Sequence, residues 1–207
     1  MQDFKAQLRE AIINGNAKEA QAITQAAVAA NVDQEALVKE AIIPAMAEVG
    51  RRFECNEYFV PELLLANRAM KESMKLLSHS GPKVGKVVIG TVKGDLHDIG
   101  KNLVAAMLEG GGFEVIDLGV NVSPQKFLEK VNETHAQIVA MSALLTTTMT
   151  AMEETIKTFC AAGLRDKVKF LIGGAPITQS YADKIGADGY SDNAVGAVVL
   201  ARKAIGA

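Results

Sequence analysis

Hydrophobic residues in the first 80 positions of the chain recur with the spacing of amphipathic helices. Phe4, Leu8 and Ile12 fall on one face of a first helix, because residues four or eight positions apart share a helix face. The segment Asn14-Gly15-Asn16 is typical of a turn and ends this helix. A second helix with the same period is predicted after it.

Two prolines and one aspartate divide the rest of this region. Asp33 can cap a third helix, which Pro44 interrupts or kinks because proline lacks the backbone N–H of a helix interior. A fourth helix begins at Pro61 and runs through Leu77, since the first helical position tolerates proline. Together the segments predict a small antiparallel helical bundle.

The pattern changes after Gly81-Pro82, a pair typical of a linker. Short apolar runs of strand length now alternate with amphipathic stretches, which predicts βαβ units and a parallel sheet covered on both faces. The fold class is therefore α/β, with an N-terminal antiparallel helical bundle followed by a flavodoxin- or Rossmann-like domain built on a five-stranded parallel sheet. The predicted strands span 86–92, 113–118, 136–142, 168–172 and 188–191, and a final helix runs to Ala204.

Length and composition fit this division. The 207 residues suit one large or two small domains, and a hydrophobic content of 49% is enough to build a core. We expect a helical domain at 1–80, a linker at 81–85 and an α/β domain at 86–207.

The net charge and the cysteine content exclude several classes of function. The net charge of −2 gives no basic excess for nucleic-acid binding. No apolar run approaches the roughly 18 residues that span a bilayer, and the polar N-terminus does not resemble a signal peptide. Cys55 and Cys160 lie too far apart in sequence for a CxxC motif. We therefore expect a protein of the reducing cytoplasm that binds neither nucleic acid nor membrane.

The loop after the first predicted strand carries the most distinctive chemistry. A carboxylate two residues before a histidine can take the proton of one ring nitrogen, leaving the other nitrogen as a metal ligand or base. The loop lacks the glycine patterns of dinucleotide and P-loop sites. In the plainer alternative, Asp95 or Asp98 caps the next helix and His97 is a solvated loop residue. The candidate residues are Gly94, Asp95, Leu96, His97, Asp98, Ile99 and Gly100.

Two further strand ends add to this candidate site. The third strand ends in the hydroxyl-rich segment 142–148, and the fourth ends in Gly173-Gly174-Ala175-Pro176. Each could be an ordinary cap or turn. Ligands of parallel sheets bind at the carboxyl ends of the strands, so three unusual loops at neighbouring ends favour one shared site.

The three loops together resemble the signature of cobalamin-binding domains. The pattern is Asp95-x-His97-x-x-Gly100, then 41 residues, Ser142-x-Leu144, then 28 residues, and Gly173-Gly174. The helical region, with its segment 58–63, is similar to the cap domain of methionine synthase and of corrinoid methyl carriers. A cap and a corrinoid module without a catalytic barrel resemble the corrinoid proteins of three-component methyltransferase systems.

The resemblance implies a metal site and its tuning. His97 would replace the lower benzimidazole ligand of cobalt and become the axial ligand, while Asp95 would hydrogen-bond its other ring nitrogen. Ser142 would extend this relay, so that His97, Asp95 and Ser142 form the catalytic set. The displaced nucleotide tail would occupy a slot beside the sheet. The residues matched to that slot are Leu144, Thr146, Gly173, Gly174 and Ala175, with Tyr190 and Asp192 as weaker candidates.

The resemblance also assigns a task to the helical domain. It would cover the upper face of the cofactor, with Phe59 and Met70 as contacts, and exclude water from the reactive group. Since the cap must move aside for methyl donors and acceptors, the linker is expected to act as a hinge.

The function implied is that of a cofactor-bearing methyl carrier in one-carbon metabolism, with no complete active site of its own. A substrate-specific methyltransferase would load a methyl group onto Co(I). A second methyltransferase would pass it from methyl-Co(III) to tetrahydrofolate or a thiol. A reductive activator would restore oxidised cobalt.

Three alternatives remain open at the level of sequence. The small subunit of an adenosylcobalamin-dependent mutase shares the histidine loop but generally lacks the helical cap. A cobalamin-dependent sensor usually carries a further signalling or DNA-binding domain. A flavodoxin-like domain with another ligand would leave the spacing of the motifs unexplained.

Overall fold

The structure, a computed structural model, describes residues 3–77 and 83–207. The chain falls into two compact units, one extending to Lys83 and including Gly110–Gly112, the other formed by Val84–Glu109 and Phe113–Ala207. The predicted linker at 81–85 lies partly outside the described residues. In the described part of the chain, none of the helices is long and apolar enough to cross a membrane.

The first unit is helical, as the spacing of its apolar residues predicts. Its first two helices begin where a side chain accepts a hydrogen bond from the first turn: Asp3 from the Ala6 amide and Asn16 from the Glu19 amide. Asp33 caps the third helix through the Glu35 amide, as expected. The helices are α1 (Phe4–Ile13), α2 (Ala17–Ala29), α3 (Gln34–Leu37), α4 (Ile43–Glu54) and α5 (Val60–Met74).

A π-helical turn, Val38–Ile42, joins α3 to α4. Pro44 follows it in the first turn of α4, where a missing N–H is tolerated. The helical path therefore continues through this proline with one wider turn, which is a known way to accommodate a break in the hydrogen-bond ladder. The buried side chains of this segment include Leu37, Ile42, Met46 and Val49.

The turn between α4 and α5 is held by an ionic network. Glu48 accepts hydrogen bonds from both Arg51 and Arg52, and Arg52 also donates to the Tyr58 hydroxyl at 2.8 Å. That hydroxyl donates to the carbonyl of Ile13 at 3.1 Å and so ties the turn to α1. These arginines lower the pKa of Glu48 to about 2.

The second unit is a five-stranded, fully parallel sheet with strand order β2-β1-β3-β4-β5. This confirms the α/β fold class. The prediction extends β5 beyond its two observed residues. The strands are β1 (Lys86–Thr91), β2 (Glu114–Asp117), β3 (Ile138–Ser142), β4 (Lys169–Gly173) and β5 (Gly189–Tyr190), and the helices are α6 (Ile99–Gly110), α7 (Pro124–Thr134), α8 (Thr150–Ala161), α9 (Gln179–Ile185) and α10 (Ala194–Ile205).

Alternate residues of the strands enter hydrophobic clusters on the two faces of the sheet. Val88 and Val139 belong to the cluster that includes Phe127 and Phe159. Val87 and Ile138 belong to the opposite cluster, with Leu108 and Phe113 among its members. Since both faces are buried, polar chemistry in this unit is confined to the strand ends and loops.

Candidate cofactor-binding site

The three predicted loops meet at one edge of the sheet. Strand β1 pairs with β3 so that Thr91 lies beside Ser142, and β3 pairs with β4 so that Ser142 lies beside Gly173. The carboxyl ends of these strands are thus adjacent. The loops that follow them form one continuous region, as ligand sites of parallel sheets require.

His97 is held by the carboxylate two residues before it. Its Nδ1 lies 2.7 Å from Oδ1 of Asp95, and its backbone amide donates to the same oxygen at 3.1 Å. The Asp95 side chain is fully buried, whereas the His97 side chain is 50% exposed. The ring therefore rests on a buried support and presents its other nitrogen, Nε2, outward.

Asp95 is surrounded by hydrogen-bond donors. Oδ2 accepts from the hydroxyl of Thr148 at 2.7 Å and from the amides of Leu144 and Leu145 at 2.8 and 3.3 Å. Burial acts to raise the pKa of Asp95, but the bonds from Thr148, Leu144 and His97 outweigh it and hold the pKa well below its ordinary value. Because an ionised carboxylate can only accept, Nδ1 of His97 carries a proton, and in a neutral ring the lone pair then lies on Nε2.

The hydroxyl that donates to Asp95 in this structure belongs to Thr148. The sequence did not single out this residue. Ser142 is the last residue of β3, and its carbonyl accepts from the Val92 amide. Its expected part in the relay and its binding role both stay predictions.

Thr91 is a second residue that contacts the histidine loop and that the sequence patterns did not predict. This buried residue ends β1, and its hydroxyl donates to the carbonyl of His97 at 2.9 Å. A threonine at the carboxyl end of an otherwise apolar strand, directly before the histidine loop, was the available signal.

Exposed apolar side chains surround the histidine. Leu96 and Ile99 flank it in sequence, and the Ile99 side chain is 78% exposed. Leu144 and Leu145, whose amides hold Asp95, are also exposed. Exposed apolar side chains at a polar strand edge are typical of a ligand site.

Glycines shape the region beside these side chains. A Cβ at Gly174, which has φ +134°, would lie 1.9 Å from the carbonyl oxygen of Ala143, so only glycine fits there. A Cβ at Gly100 would meet nothing within 4 Å, and Gly94 has φ +84°. Ala175 is exposed beyond the Gly173-Gly174 pair. The end of β4 thus packs closely on β3 while the histidine loop stays open.

The remaining candidates of this unit lie in the loops at the strand ends or on the outermost strand. Asp98, next to His97, is exposed and accepts from the side-chain amide of Asn102, and Thr146 is exposed in the β3–α8 loop. Tyr190 pairs with Ile172 on the outermost strand. Asp192 is exposed just after it and accepts from Asn193.

The two candidates of the helical unit differ. Phe59 is 61% exposed at the start of α5, where its amide donates to the Glu62 carboxylate at 2.9 Å. Met70 is only 2% exposed. The spacing of apolar residues along α5 puts Met70 on the buried face with Ala66 and Ser73, and its contact with the cofactor stays a prediction.

Fold and site define an α/β ligand-binding domain that offers a carboxylate-oriented histidine, among exposed apolar side chains, to a large ligand. A family model described as a B12 binding domain matches residues 85–199. A second model with the same description matches residues 5–78. The chain belongs to the B12-binding corrinoid proteins, and its cofactor is cobalamin or a related corrinoid.

Relatives of this family match nearly the whole chain. The trimethylamine corrinoid protein of Methanosarcina barkeri is 40% identical, over 99% of this chain and 97% of the relative. A cobalamin-binding protein from Desulfitobacterium hafniense has a TM-score of 0.81 at 33% identity, with 99% of each chain covered. The methanol:cobalamin methyltransferase complex MtaBC of Methanosarcina barkeri gives a TM-score of 0.89 at 30% identity, over 99% of this chain and 80% of that chain.

The residues at the strand ends fit a corrinoid. In a neutral ring, the lone pair of His97 Nε2 would bind cobalt. The exposed leucines and isoleucine would contact the hydrocarbon parts of the macrocycle, and the glycine-only contact at Gly174 leaves backbone where a side chain would intrude.

Proposed function

We propose that this protein is a corrinoid methyl carrier. The observation that carries the proposal is the His97 ring, fixed through Nδ1 on the buried Asp95 and open at Nε2. The near full-length similarity to the trimethylamine corrinoid protein supports the methyl-carrying role. The cobalt of a bound corrinoid supplies the atom that accepts and releases the methyl group.

The chain's own residues control the lower side of that cofactor. His97 would hold the cobalt of the corrinoid through Nε2. Asp95 holds the proton on Nδ1 and strengthens the ligand, since a hydrogen bond to a carboxylate raises the basicity of an imidazole. Thr148 fixes the second carboxylate oxygen, so the Asp95–His97 geometry does not depend on solvent.

The nucleotide tail is proposed to lie along the ends of β3 and β4. Leu144, Thr146 and Ser142 would line one side of it and Gly173-Gly174 with Ala175 the other, with Tyr190 and Asp192 at the far end. Support comes from the exposed positions of Leu144 and Thr146 and from the close packing at Gly174, which no other residue allows.

Phe59 is proposed to shield the upper face of the cofactor. An exposed phenylalanine is costly in water, yet the hydrogen bond from its amide to Glu62 and the Arg52–Tyr58 contact hold the chain in place around it. A rigid turn that presents an aromatic ring is typical of a contact surface.

Two further methyltransferase components and one activator complete the proposal. The MtaBC neighbour is described as a methyltransferase complex, which supports a substrate-specific methyltransferase as partner. A second methyltransferase that passes the group to tetrahydrofolate or a thiol, and a reductive activator for oxidised cobalt, are part of the same proposal. The donor is set by the first partner, and a methylamine is the first to test.

The test is a comparison of visible spectra and cobalt content after the protein is mixed with hydroxocobalamin and desalted. We expect close to one cobalt per chain and a histidine-ligated spectrum in the natural protein. His97→Ala should lose that spectrum. The control is His135→Asn, because His135 is exposed at the end of α7 in a left-handed conformation that asparagine tolerates.

Two outcomes would contradict the proposal. The corrinoid function fails if the natural protein retains no cobalt. The role of His97 fails if His97→Ala and His135→Asn give the same spectrum as the natural protein. Methyl transfer from a methylamine, with a purified methyltransferase component, then tests the carrier role.

A further inference from the structure

The loop between β2 and α7, residues 118–122, lies directly beside the histidine loop. It continues the pairing of β1 and β2 beyond the end of β2. The Thr91 amide donates to the Gly119 carbonyl at 2.9 Å, and the Val122 amide donates to the Thr91 carbonyl at 3.0 Å. A single bridge between Val92 and Val122 follows. The histidine loop is therefore flanked by ordered backbone on the β2 side as well as on the β3 side.

Asn121 makes two hydrogen bonds from this loop to the residues just before His97. Its backbone amide donates to the carbonyl of Asp95 at 3.0 Å. Its side-chain Oδ1 accepts from the amide of Gly94 at 2.8 Å. The two bonds fix the backbone at Gly94, where the histidine loop begins, and at Asp95, whose carboxylate holds the imidazole.

The conformation of Asn121 supports a specific task. Its φ is +53°, a left-handed value that asparagine adopts more readily than most residues but less readily than glycine. Glycine would satisfy the backbone here without strain but would offer no acceptor to Gly94. The sequence therefore combines left-handed backbone with a side-chain acceptor.

The same loop is also linked, through Asp117, to the first turn of α6. Oδ1 of Asp117 accepts from the Gly119 amide at 2.8 Å, and Oδ2 pairs with the ammonium group of Lys101. Lys101 is buried in the first turn of α6, where a lysine is rarely found without a partner. Asp117 thus links the start of the β2–α7 loop to the first turn of α6, which follows the histidine loop.

We propose that Asn121 is a positioning residue for His97. It acts through Gly94 and Asp95, keeping the Asp95 carboxylate on Nδ1 so that Nε2 stays at one place and one angle. The inference deepens the proposed function, on which it rests for the identity of the ligand that Nε2 meets. The hydrogen bonds from Asn121 to Gly94 and Asp95 can be tested on the protein without cofactor.

Three variants separate the acceptor from the backbone conformation. Asn121→Gly keeps the left-handed backbone and removes the acceptor for Gly94. Asn121→Asp keeps both. Asn31→Gly makes the same substitution at a left-handed asparagine of the helical unit, φ +55°, and controls for the general effect of an added glycine. Circular dichroism and thermal unfolding establish that each variant folds.

The first measurement uses the protein without cofactor. Amide exchange followed by NMR should show the Gly94 amide exchanging about tenfold or more faster in Asn121→Gly than in the natural protein. The ¹⁵N shift of His97 Nδ1 should move toward that of an imidazole without a carboxylate partner. Asn121→Asp should restore both, and Asn31→Gly should change neither.

The second measurement uses the protein loaded with hydroxocobalamin. Asn121→Gly should retain cobalt with a reduced histidine-ligated fraction, and Asn121→Asp should recover that fraction. The proposal is overturned if Asn121→Gly leaves the spectrum unchanged, even where Gly94 exchanges faster, because Asn121 would then only stabilise the loop.

If the natural protein binds no corrinoid, the proposed function is wrong, but the positioning role of Asn121 is still undecided. In that case the NMR signals of the chain decide it. A displaced His97 Nδ1 shift in Asn121→Gly, restored in Asn121→Asp, supports the positioning role, and an unchanged shift refutes it.

Discussion

At the scale of single residues, the Asp95 carboxylate has surroundings unlike those of most loop aspartates. It is fully buried, yet its two oxygens accept from the ring and amide of His97, the amides of Leu144 and Leu145 and the hydroxyl of Thr148. Such a carboxylate stays charged because its donors replace water. The imidazole it holds thereby gains a fixed tautomer.

Removing the hydroxyl from Thr148 should weaken this arrangement. Thr148→Val keeps the shape of the side chain but leaves Asp95 without one donor, and a hydrogen bond to a charged group contributes about 1.5–3 kcal/mol. We expect a loss of that size in the free energy of unfolding, measured by urea denaturation. Thr148→Ser, which keeps the hydroxyl, should lose clearly less. Equal losses for the two variants would show that the methyl group, and not the hydrogen bond, matters.

The close approach at Gly174 gives a second prediction for a single residue. Gly174→Ala would place a Cβ against the carbonyl of Ala143 at φ +134°, and we expect it to lower the free energy of unfolding by more than about 2 kcal/mol. Gly163→Ala is the matched control, because Gly163 also has a positive φ, +68°, with nothing within 4 Å. Gly163→Ala should lose only the part of the free energy of unfolding that backbone strain costs. Similar decreases in the unfolding temperature of both variants would refute the steric argument.

At the scale of elements, the period of the apolar residues predicts the helical stretches of the first unit and four of the strands to within a few residues. The exceptions have local causes. Helix α5 begins at Val60 because Phe59 and Glu62 form the cap, one residue before the proline signal. The fifth strand pairs over two residues only.

The residues of the candidate site also fall into two groups, those that the sequence predicts and those that it does not. Asp95 and His97 are recognisable because their contact is local, two residues apart in the chain. Thr148 and Asn121 reach Asp95 and Gly94 from 53 and 27 residues away. Such contacts depend on the strand order and on the path of each loop, which the spacing of hydrophobic residues does not specify.

The ionic network at the end of α4 gives a prediction about pH. The arginines lower the pKa of Glu48 from 4.5 to about 2, so its contribution to stability is complete above its pKa in the unfolded chain and fades as the pH falls toward 2. Glu48→Gln should therefore be less stable than the natural protein at pH 7. The difference should shrink between pH 4.5 and 2 in urea denaturation series. A difference that stays constant over this range would exclude Glu48 ionisation as its source.

At the scale of the whole molecule, the cofactor is expected to contribute to stability by mass action. A ligand that binds only the folded protein at 100 times its dissociation constant stabilises it by about 2.7 kcal/mol. Hydroxocobalamin should accordingly raise the unfolding midpoint of the natural protein in a concentration-dependent manner. The shift should be smaller for His97→Ala, since one bond to the ligand is lost. No shift at saturating cofactor would argue against binding to the folded state.

The π-helical turn at Val38–Ile42 can absorb a change in chain length within the helical unit. An α-helix advances by about 100° per residue, and the wider turn takes up the rotation of one extra residue before α4 begins. Deleting one residue within the turn should therefore leave a regular α-helical turn, with Met46 and Val49 still on the buried face. Deleting one residue from α4 itself would have no wider turn to compensate for it and would rotate the residues beyond the gap by about 100°. A one-residue gap should thus be tolerated in this turn and be damaging in the helix that follows it.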